Sequence, residues 1–355
     1  MKYIFLLFLF TCFVNKATAQ FGGTQKMVSK KQQHIVDSLK STPYPFVFPM
    51  LGDKVRKKGI LLPLPHGMMI NYLQGIQQIA ISDLSVGFNN GQVYDLSELV
   101  QFEEVKGNLS TLNARFDTWV LPFLDVYGIA GYGKGTLKVH LKEPFDFETT
   151  TDADGQYYGI GAMLTGALGP VFIANDYNYS WSFNDKLKHP ANIFMTGLRC
   201  GPIFRIPKHE HMNISVWTGF MYSQLKSSTT GNIRFTEVFP DSETKLNDLE
   251  SDLDDWYVQA YAEAKLPAKK ELINKIYTES KDAIHNIQQG VDSGSIQYQL
   301  QKKFENPFSM LAGIQWQISE KWQLRCEAQF FGDRQMFLTS LNYRFGIKGK
   351  TLFSS

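Results

Sequence analysis

Hydrophobic and polar residues alternate with a period of two in the last part of the chain. In residues 322–330 ("WQLRCEAQF") every even-numbered residue is apolar and every odd-numbered residue is polar. In residues 337–346 ("FLTSLNYRFG") Phe337, Leu341 and Phe345 occupy one side, opposite a side of Ser, Asn and Arg. A period of two puts successive side chains on opposite faces of an extended strand. Both segments therefore predict β-strands with one apolar face and one polar face.

The same two-faced pattern recurs upstream and predicts about ten strands in all. Short and long connections alternate between them, with residues 332–334 as a short exception. The long connections are 89–109, 142–156, 183–191 and 223–307, and the short ones are 122–124, 169–170, 207–210 and 319–321. The predicted strands are 76–88, 110–121, 126–141, 157–168, 171–182, 192–206, 212–222, 310–318, 322–330 and 337–346.

Two kinds of β protein share this period, a soluble sandwich and a membrane-spanning barrel. The barrel is favoured because the polar faces of neighbouring strands are continuous, and because Trp and Tyr concentrate near strand ends, as at a membrane interface. Alternating short turns and long loops are also typical of outer-membrane barrels. The sequence therefore predicts an all-β fold, a closed antiparallel up-and-down transmembrane β-barrel of about 10 strands, with 12 as the alternative.

Residues 1–19 have the layout of a secretory signal peptide. Lys2 precedes an apolar stretch, and the small residues "ATA" at 17–19 permit cleavage before Gln20. A lipoprotein anchor at Cys12 is the alternative. Beyond this leader the chain has no run of apolar residues long enough for a helical membrane span, whereas transmembrane strands need only about 9 to 11 residues.

Charge and cysteine content narrow the function classes. The chain has 36 Lys and Arg against 34 Asp and Glu, and removal of the leader takes away two lysines, which leaves the mature chain neutral. A neutral chain without a basic stripe argues against nucleic-acid binding. The mature chain keeps Cys200 and Cys326, which form neither a disulfide framework nor a metal-ligand spacing. We therefore predict no cofactor and no metal.

Three stretches carry a family resemblance: "LNARFDTWVLPFLDVYGIAGYGKG", "FGDRQMFLTSLNYRFG" and the Ala-Gln signal junction. Together they resemble outer-membrane β-barrel proteins of Gram-negative bacteria, in the form found in the Bacteroidetes, over residues 65–347. The resemblance implies location in the cell outer membrane, contact with outer-membrane lipid and lipopolysaccharide, and insertion by the barrel assembly machinery. It assigns no particular activity. The chain departs from this family by continuing past Phe345 with "GIKGKTLFSS", where the family usually ends on an aromatic residue.

Two segments differ from the strands. In residues 241–290 an apolar residue recurs every three or four positions, Pro267 interrupts the pattern and it then resumes, which predicts two amphipathic helices. Loop parity places this insertion outside the cell, or folded back into the barrel mouth, where it is either a lid or docking element for an extracellular partner or a solvated loop. The predicted organisation is 1–19 signal peptide, 20–65 N-terminal segment in the periplasm or as a plug, 66–347 barrel with the 241–290 insertion, and 348–355 tail.

The inward polar faces of the strands supply the candidate site residues. Rings of Arg and Lys favour anions in a pore. A barrel of about ten strands is also narrow enough to be filled by opposed Arg and carboxylate side chains. Both interpretations stay open. The lumen-lining candidates are Arg115, Asp117, Lys134, Lys138, His140, Asp176, Arg199, Arg325, Glu327 and Arg344.

The predicted function is porin-like, the passage or binding of a small polar solute, with an anion as one option, by a monomeric outer-membrane barrel. A structural or surface-interaction barrel with an occluded lumen is the alternative, and a lipid-modifying outer-membrane enzyme is a further one. The His-x-Ser-Asn pattern of lipid A deacylases is absent, and the 7 histidines are scattered. The glycine-rich "GYGKGT" lies inside a predicted strand rather than before a helix. No enzymatic activity is predicted.

Overall fold

The structure is a computed structural model that describes residues 30–88, 92–97, 99–143, 147–184, 189–206, 211–234, 243–289 and 295–349. The predicted signal peptide and residues 20–29 of the predicted N-terminal segment lie outside the described residues. Residues 350–355 of the predicted tail and the short connection predicted at 207–210 lie outside them as well.

The structure contains the following strands in the described residues: β1 (His66–Phe88), β2 (Val93–Asp95), β3 (Gln101–Leu121), β4 (Leu124–Glu143), β5 (Phe147–Asp152), β6 (Gly155–Leu168), β7 (Val171–Phe183), β8 (Ala191–Arg205), β9 (Asn213–Arg234), β10 (Ser295–Phe304), β11 (Phe308–Gln317), β12 (Trp322–Phe330) and β13 (Arg334–Phe345). Ten of them are antiparallel neighbours in the order β1-β3-β4-β6-β7-β8-β9-β11-β12-β13, and β13 pairs with β1 to close the barrel.

Each of the ten segments predicted from the sequence falls on a different one of these ten strands, so the barrel of ten strands is confirmed and the alternative of 12 is wrong for the described residues. β2, β5 and β10 are additional, and β1 begins well before the predicted residue 76.

The outer wall of the barrel is apolar. On β13, Leu341 is 44% exposed while its neighbour Ser340 is 1% exposed, so the aromatic and aliphatic face points outward. β12 has the same orientation, because Trp322 and Leu324 are exposed and Glu327 is buried. A closed barrel with an apolar outer band is suited to a bilayer, and this protein is therefore an outer-membrane β-barrel. Other large side chains of the band are Met68, Ile70, Leu112, Phe116, Ile160, Leu198, Val216, Phe220 and Ile314.

Short turns lie at the end of the barrel where β1 begins and β13 ends. Pro122 and Phe123 join β3 to β4, and Gly169 and Pro170 join β6 to β7. Gly169 has a φ of 63°, a left-handed conformation that glycine adopts without steric penalty. The short turns of outer-membrane barrels face the periplasm. This end is therefore the periplasmic end, and the longer loops are extracellular.

The barrel wall is higher on one side than on the other. β1, β3, β4 and β9 have 23, 21, 20 and 22 residues, whereas β11, β12 and β13 have only 10, 9 and 12. Beyond the ends of the short strands, β10 pairs with residues 79–88 of β1 and with residues 227–234 of β9. We call this continuation of the wall, which includes β2 and β5, the extracellular extension. A transmembrane strand needs about 9 to 11 residues, so the long strands continue beyond the bilayer.

Residues 42–65 lie against the periplasmic end, after helix α1 (Lys30–Ser41) and around the short helix α2 (Gly52–Arg56). The Met50 N–H donates to the Val120 carbonyl at 2.9 Å. Arg344 of β13 donates from Nε to the Leu64 carbonyl at 2.9 Å. These hydrogen bonds tie the N-terminal segment to β3 and β13.

Two helices, α3 (Glu243–Glu263) and α4 (Pro267–Gln288), pack on the extracellular extension and confirm the predicted helical insertion. Lys281 of α4 makes ion pairs at 2.8 Å with Glu250 and with Asp254 of α3. The hydrogen bond from Lys281 holds the pKa of Asp254 below its usual range. Within the described ranges, no helix is both long and apolar enough to cross a membrane. The apolar cluster beneath the hairpin contains Leu84, Leu96, Leu99, Ala264, Ile273, Ile276 and Leu300.

Candidate functional site in the barrel lumen

Charged side chains from several strands meet around Glu327 inside the barrel. Glu327 of β12 is 2% exposed. It accepts hydrogen bonds from Arg199 of β8, through Nε at 2.7 Å and Nη2 at 2.9 Å. Arg325 donates to the same carboxylate at 2.8 Å, and the Trp217 indole N–H of β9 donates at 2.9 Å. Arg199 also pairs with Asp176 of β7. Charge-assisted hydrogen bonds of this kind are strong, so Glu327 fastens β12 to β8 and β9 across the lumen.

A second set of charges lies nearer the periplasmic end. Arg115 donates from Nη2 to Asp125 at 2.7 Å, and its guanidinium lies 3.7 Å from the centre of the Tyr127 ring. Asp117 is 1% exposed and lies 3.1 Å from Arg344 Nη2. Because Arg344 also binds the Leu64 carbonyl, this set connects the lumen wall to the N-terminal segment.

The two sets together carry no net charge, because four arginines face four carboxylates. We call these eight residues the ion-pair layer. Buried charges are tolerated in a protein interior when they are paired and hydrogen-bonded. Each member of the layer has a partner of opposite charge, although the Asp117 oxygens form ion pairs without hydrogen bonds to the described residues. Seven of the sequence candidates lie in the layer, and Asp125 is an additional member. The layer consists of Arg115, Arg199, Arg325, Arg344, Asp117, Asp125, Asp176 and Glu327.

An apolar cluster lies beside the ion-pair layer inside the barrel. Its members include Leu311, which is fully buried, and the Trp217 and Phe172 rings, whose centroids are 6.1 Å apart. A Cβ on Gly313 would come within 2.4 Å of the Trp217 ring, so glycine at this position leaves room for the indole. Paired charges and packed apolar side chains thus occupy the lumen together at this level.

Two inward cations on the extracellular side of the layer have no carboxylate partner among the described residues. Arg334, the first residue of β13, is 9% exposed and donates from Nη1 to Ser223 Oγ at 3.1 Å. Its guanidinium lies 6.0 Å from the centre of the Phe304 ring. Lys302 of β10 lies on the same strand face as Leu300 and Phe304, both of which are buried.

Neither cation is among the lumen-lining residues predicted from the sequence. The strand predicted at 337–346 starts after Arg334, although continuing its alternation back to residue 334 places Arg334 on the polar face. Lys302 lies in β10, within the long connection predicted at 223–307. A longer strand prediction places Arg334 on the inward face. Lys302, in contrast, alternates with the apolar residues Leu300 and Phe304, and a rule that turns polar faces inward assigns that side of β10 to the outer wall.

The prediction that Lys134, Lys138 and His140 line the lumen is wrong. All three share the outward face of β4 with the exposed residues Val126 and Tyr132. The physical reason is that β4 continues beyond the bilayer, where its outer face meets water instead of hydrocarbon. Polarity identifies the inward face only where the outside is lipid. Polar residues in the extracellular extension therefore do not have to point into the lumen.

Cysteine labelling checks this outward orientation. Lys138 pairs with Glu148 of β5 at 2.8 Å, and its side chain is 41% exposed. In a background without Cys200 and Cys326, Lys138→Cys is expected to react with a membrane-impermeant maleimide on intact cells. Leu137→Cys is the matched control and is expected to react much more slowly, because Leu137 is buried. Faster labelling at residue 137 than at residue 138 would contradict the assignment.

A cavity of about 560 Å³ opens in the extracellular extension, where β1 and β3 part. Ile79 and Phe102 line it together with His140 and the three carboxylates Glu103, Glu104 and Glu305. Ile79 pairs in register with Phe304 of β10, whose ring lies beside Arg334. The Ile79–Phe304 pair thus lies between the cavity and Arg334. In the part of the chain that the structure describes, no three His, Cys, Asp or Glu side chains come together as a metal site.

No family model and no curated protein matches the chain. One similar solved structure is the β domain of the Bordetella autotransporter BrkA, with a TM-score of 0.36 and 9% identity over 79% of this chain and 100% of that chain. Another is the translocator domain of the autotransporter NalP from Neisseria meningitidis, with a TM-score of 0.31 and 11% identity over 89% and 94%. A third is an outer membrane channel from Pseudomonas putida F1, with a TM-score of 0.29 and 9% identity over 80% and 96%. At such low TM-scores and identities, these similarities support no conclusion about the activity of this chain.

Proposed function

We propose that this outer-membrane barrel is closed by its ion-pair layer and binds a small polar solute from the extracellular side. The observation that carries the proposal is the bonding of Glu327 to Arg199, Arg325 and Trp217 across the lumen. The proposed function is binding and involves no catalytic step.

Closure by paired charges is expected to be persistent. An ion that crosses the layer has to separate a buried arginine from its carboxylate, and loss of one partner of such a pair costs about 3–5 kcal/mol. The apolar cluster around Leu311 and Trp217 adds resistance, because it offers a passing ion no polar ligands. Spontaneous conduction is therefore expected to be rare.

The solute is expected to be an anion. Charges within the ion-pair layer cancel, whereas Arg334 and Lys302 add positive charge on its extracellular side. Cations that line a lumen favour anions.

Single-channel recording tests the closed lumen. The full mature chain, purified in detergent and inserted into planar bilayers, is expected to give no stepwise currents. A variant with Trp217→Ala, Arg325→Ala and Glu327→Ala removes side chains that cross the lumen and is expected to conduct. The shift in electrophoretic mobility on boiling reports whether the variant is folded.

The recordings separate the alternatives. Steady stepwise currents from the unmodified chain would contradict the closed lumen. Silence from the folded triple variant would show that other parts of the barrel close it. Wild-type silence together with variant currents would support closure by the layer.

A surface-interaction role of the α3–α4 hairpin is the second candidate. It is favoured by Val258 and Leu266, which are 69% and 67% exposed, because exposed apolar side chains are frequent in interaction surfaces. Solute binding inside the lumen is expected to survive Val258→Ser with Leu266→Ser, whereas a hairpin-mediated interaction is expected to weaken.

A further inference from the structure

Arg334 is a buried arginine with unused hydrogen-bonding capacity. Nη1 donates to Ser223 Oγ at 3.1 Å and lies 3.2 Å from Met195 Sδ. Nε is buried and has no hydrogen-bond partner, which is also true of Nε of Arg115 and Arg325, but those two arginines have carboxylate partners and Arg334 has none among the described residues. Nη2 makes no hydrogen bond to the described residues. One edge of the guanidinium, formed by Nε and Nη2, is therefore free.

The free edge is the part of arginine that recognises oxyanions. Its two N–H groups are parallel and match the oxygen spacing of a carboxylate or a phosphate, which allows bidentate binding. The Arg334 guanidinium is held on its other sides by a hydrogen bond to Ser223 and by contact with the Phe304 ring. The Nε and Nη2 donors of Arg334 are therefore fixed in orientation.

Charge balance shows that Arg334 is not needed by the ion-pair layer. The carboxylates of the layer are already matched by Arg115, Arg199, Arg325 and Arg344. An additional buried cation without an anion is unfavourable. A bound anion would remove that penalty.

Lys302 adds a second positive charge on the extracellular side of Arg334. Lys302 pairs in register with Ile81 of β1, and Arg334 pairs with Gln77, so the two cations lie four residues apart along the same strand. Both side chains are long and face inward. The cavity next to Ile79 lies at the level between them but is lined by neither cation, and its lining includes Glu103, Glu104 and Glu305. The cavity is therefore not part of the anion site.

We propose that Arg334 and Lys302 form a binding site for a small oxyanion, a carboxylate or a phosphate, inside the barrel. Arg334 binds the oxyanion through Nε and Nη2, and Lys302 supplies long-range attraction. This inference rests on the proposed function and specifies the chemical class of its solute. Its position inside the lumen favours a dissolved solute over a phosphate group of the surrounding lipid.

Calorimetric titration tests the site with the full mature chain in detergent. The probes are inorganic phosphate and acetate, with chloride at matched ionic strength as the reference. Saturable binding of at least one probe beyond that of chloride is expected. Arg334→Met is expected to weaken it about 10- to 100-fold, the loss typical of charged hydrogen bonds.

A neighbouring pair of lysines provides the matched control. Lys302 is inward and half-buried, whereas Lys303 is exposed on the opposite face of β10. Lys302→Met is expected to weaken binding, and Lys303→Met is expected to leave it unchanged. Equal effects of the two substitutions would contradict the assigned role of Lys302.

Thermal unfolding without added anion separates a binding role from a structural one. Arg334→Met removes an unpaired buried charge, so the unfolding midpoint is expected to stay the same or rise. A lower midpoint would instead assign Arg334 a structural role and overturn the proposal. Unchanged phosphate and acetate binding by Arg334→Met, or no saturable binding by the unmodified chain, would overturn it as well.

The outcomes also distinguish this inference from the closed lumen. Currents from the unmodified chain in bilayers would refute closure, while the titration would still report whether Arg334 binds an anion. A silent barrel without saturable binding would refute the oxyanion site alone. Binding to lipid vesicles that depends on Arg334, without binding of free phosphate, would identify a lipid headgroup as the ligand and overturn the assignment to a dissolved solute.

Discussion

Replacing Glu327 with glutamine is expected to destabilise the folded barrel by about 3–5 kcal/mol, the typical effect of removing one partner of a buried ion pair. Glu327 is the shared acceptor of Arg199 and Arg325, so the substitution leaves the layer with one uncompensated positive charge. The shape of the side chain is kept, and the loss is therefore electrostatic. The measurement is the free energy of unfolding in urea, with the barrel folded in lipid vesicles.

A second substitution separates charge from packing. Arg325 pairs with Glu327 and with no other carboxylate among the described residues. Arg325→Met combined with Glu327→Gln restores the charge balance of the layer, so the double variant is expected to be more stable than Glu327→Gln alone. Glu320→Gln, in an exposed turn, is the control and is expected to change stability by less than about 0.5 kcal/mol. If the double variant were no more stable than Glu327→Gln, the loss of stability would come from packing and not from charge.

The orientation of the short strands could be predicted from the sequence because hydrocarbon surrounds them. On β12, Trp322 and Leu324 have to face lipid, so Glu327 on the alternate face has to point inward. This inference requires only the period of two and an apolar solvent outside. It gave seven members of the ion-pair layer their inward direction.

The pairing of those residues could not be predicted. Arg199 and Glu327 are 128 positions apart, and their contact depends on the register of every strand between them. Alternation determines which face of a strand a side chain occupies, but it does not determine which residues of the neighbouring strands lie beside it. The partners of Glu327 therefore became visible only in the structure.

Side-chain orientation is less predictable from the sequence where the strands leave the bilayer. The outer face of β4 becomes polar at Lys134, Lys138 and His140 because it meets water there. β10 does alternate, with Tyr298, Leu300 and Phe304 opposite Gln297, Gln299 and Gln301. Its apolar face is the inward one, so polarity does not identify Lys302 on that face as inward. The outer strands β2 and β5 also lie beyond the bilayer, where no contact with lipid imposes an apolar outer face.

Leu341→Arg is expected to destabilise the barrel by about 2–4 kcal/mol, the effect of an arginine on the lipid face near the bilayer midplane. Leu341 pairs in register with Ile70 of β1 and Leu324 of β12, and all three are exposed on the outer wall. Hydrocarbon is therefore the neighbour of this side chain. The free energy of unfolding in lipid vesicles provides the measurement.

Ile347→Arg is the matched control, because Ile347 is 56% exposed but follows the end of β13. An arginine there can reach water or lipid headgroups, so little change is expected. If Leu341 were instead solvated by water, both substitutions would be equally harmless, and the mature chain would fold in buffer without any amphiphile. The residues of the ion-pair layer are placed inside the barrel because alternate residues on the same strands contact lipid. That result would therefore also contradict a buried ion-pair layer within a membrane.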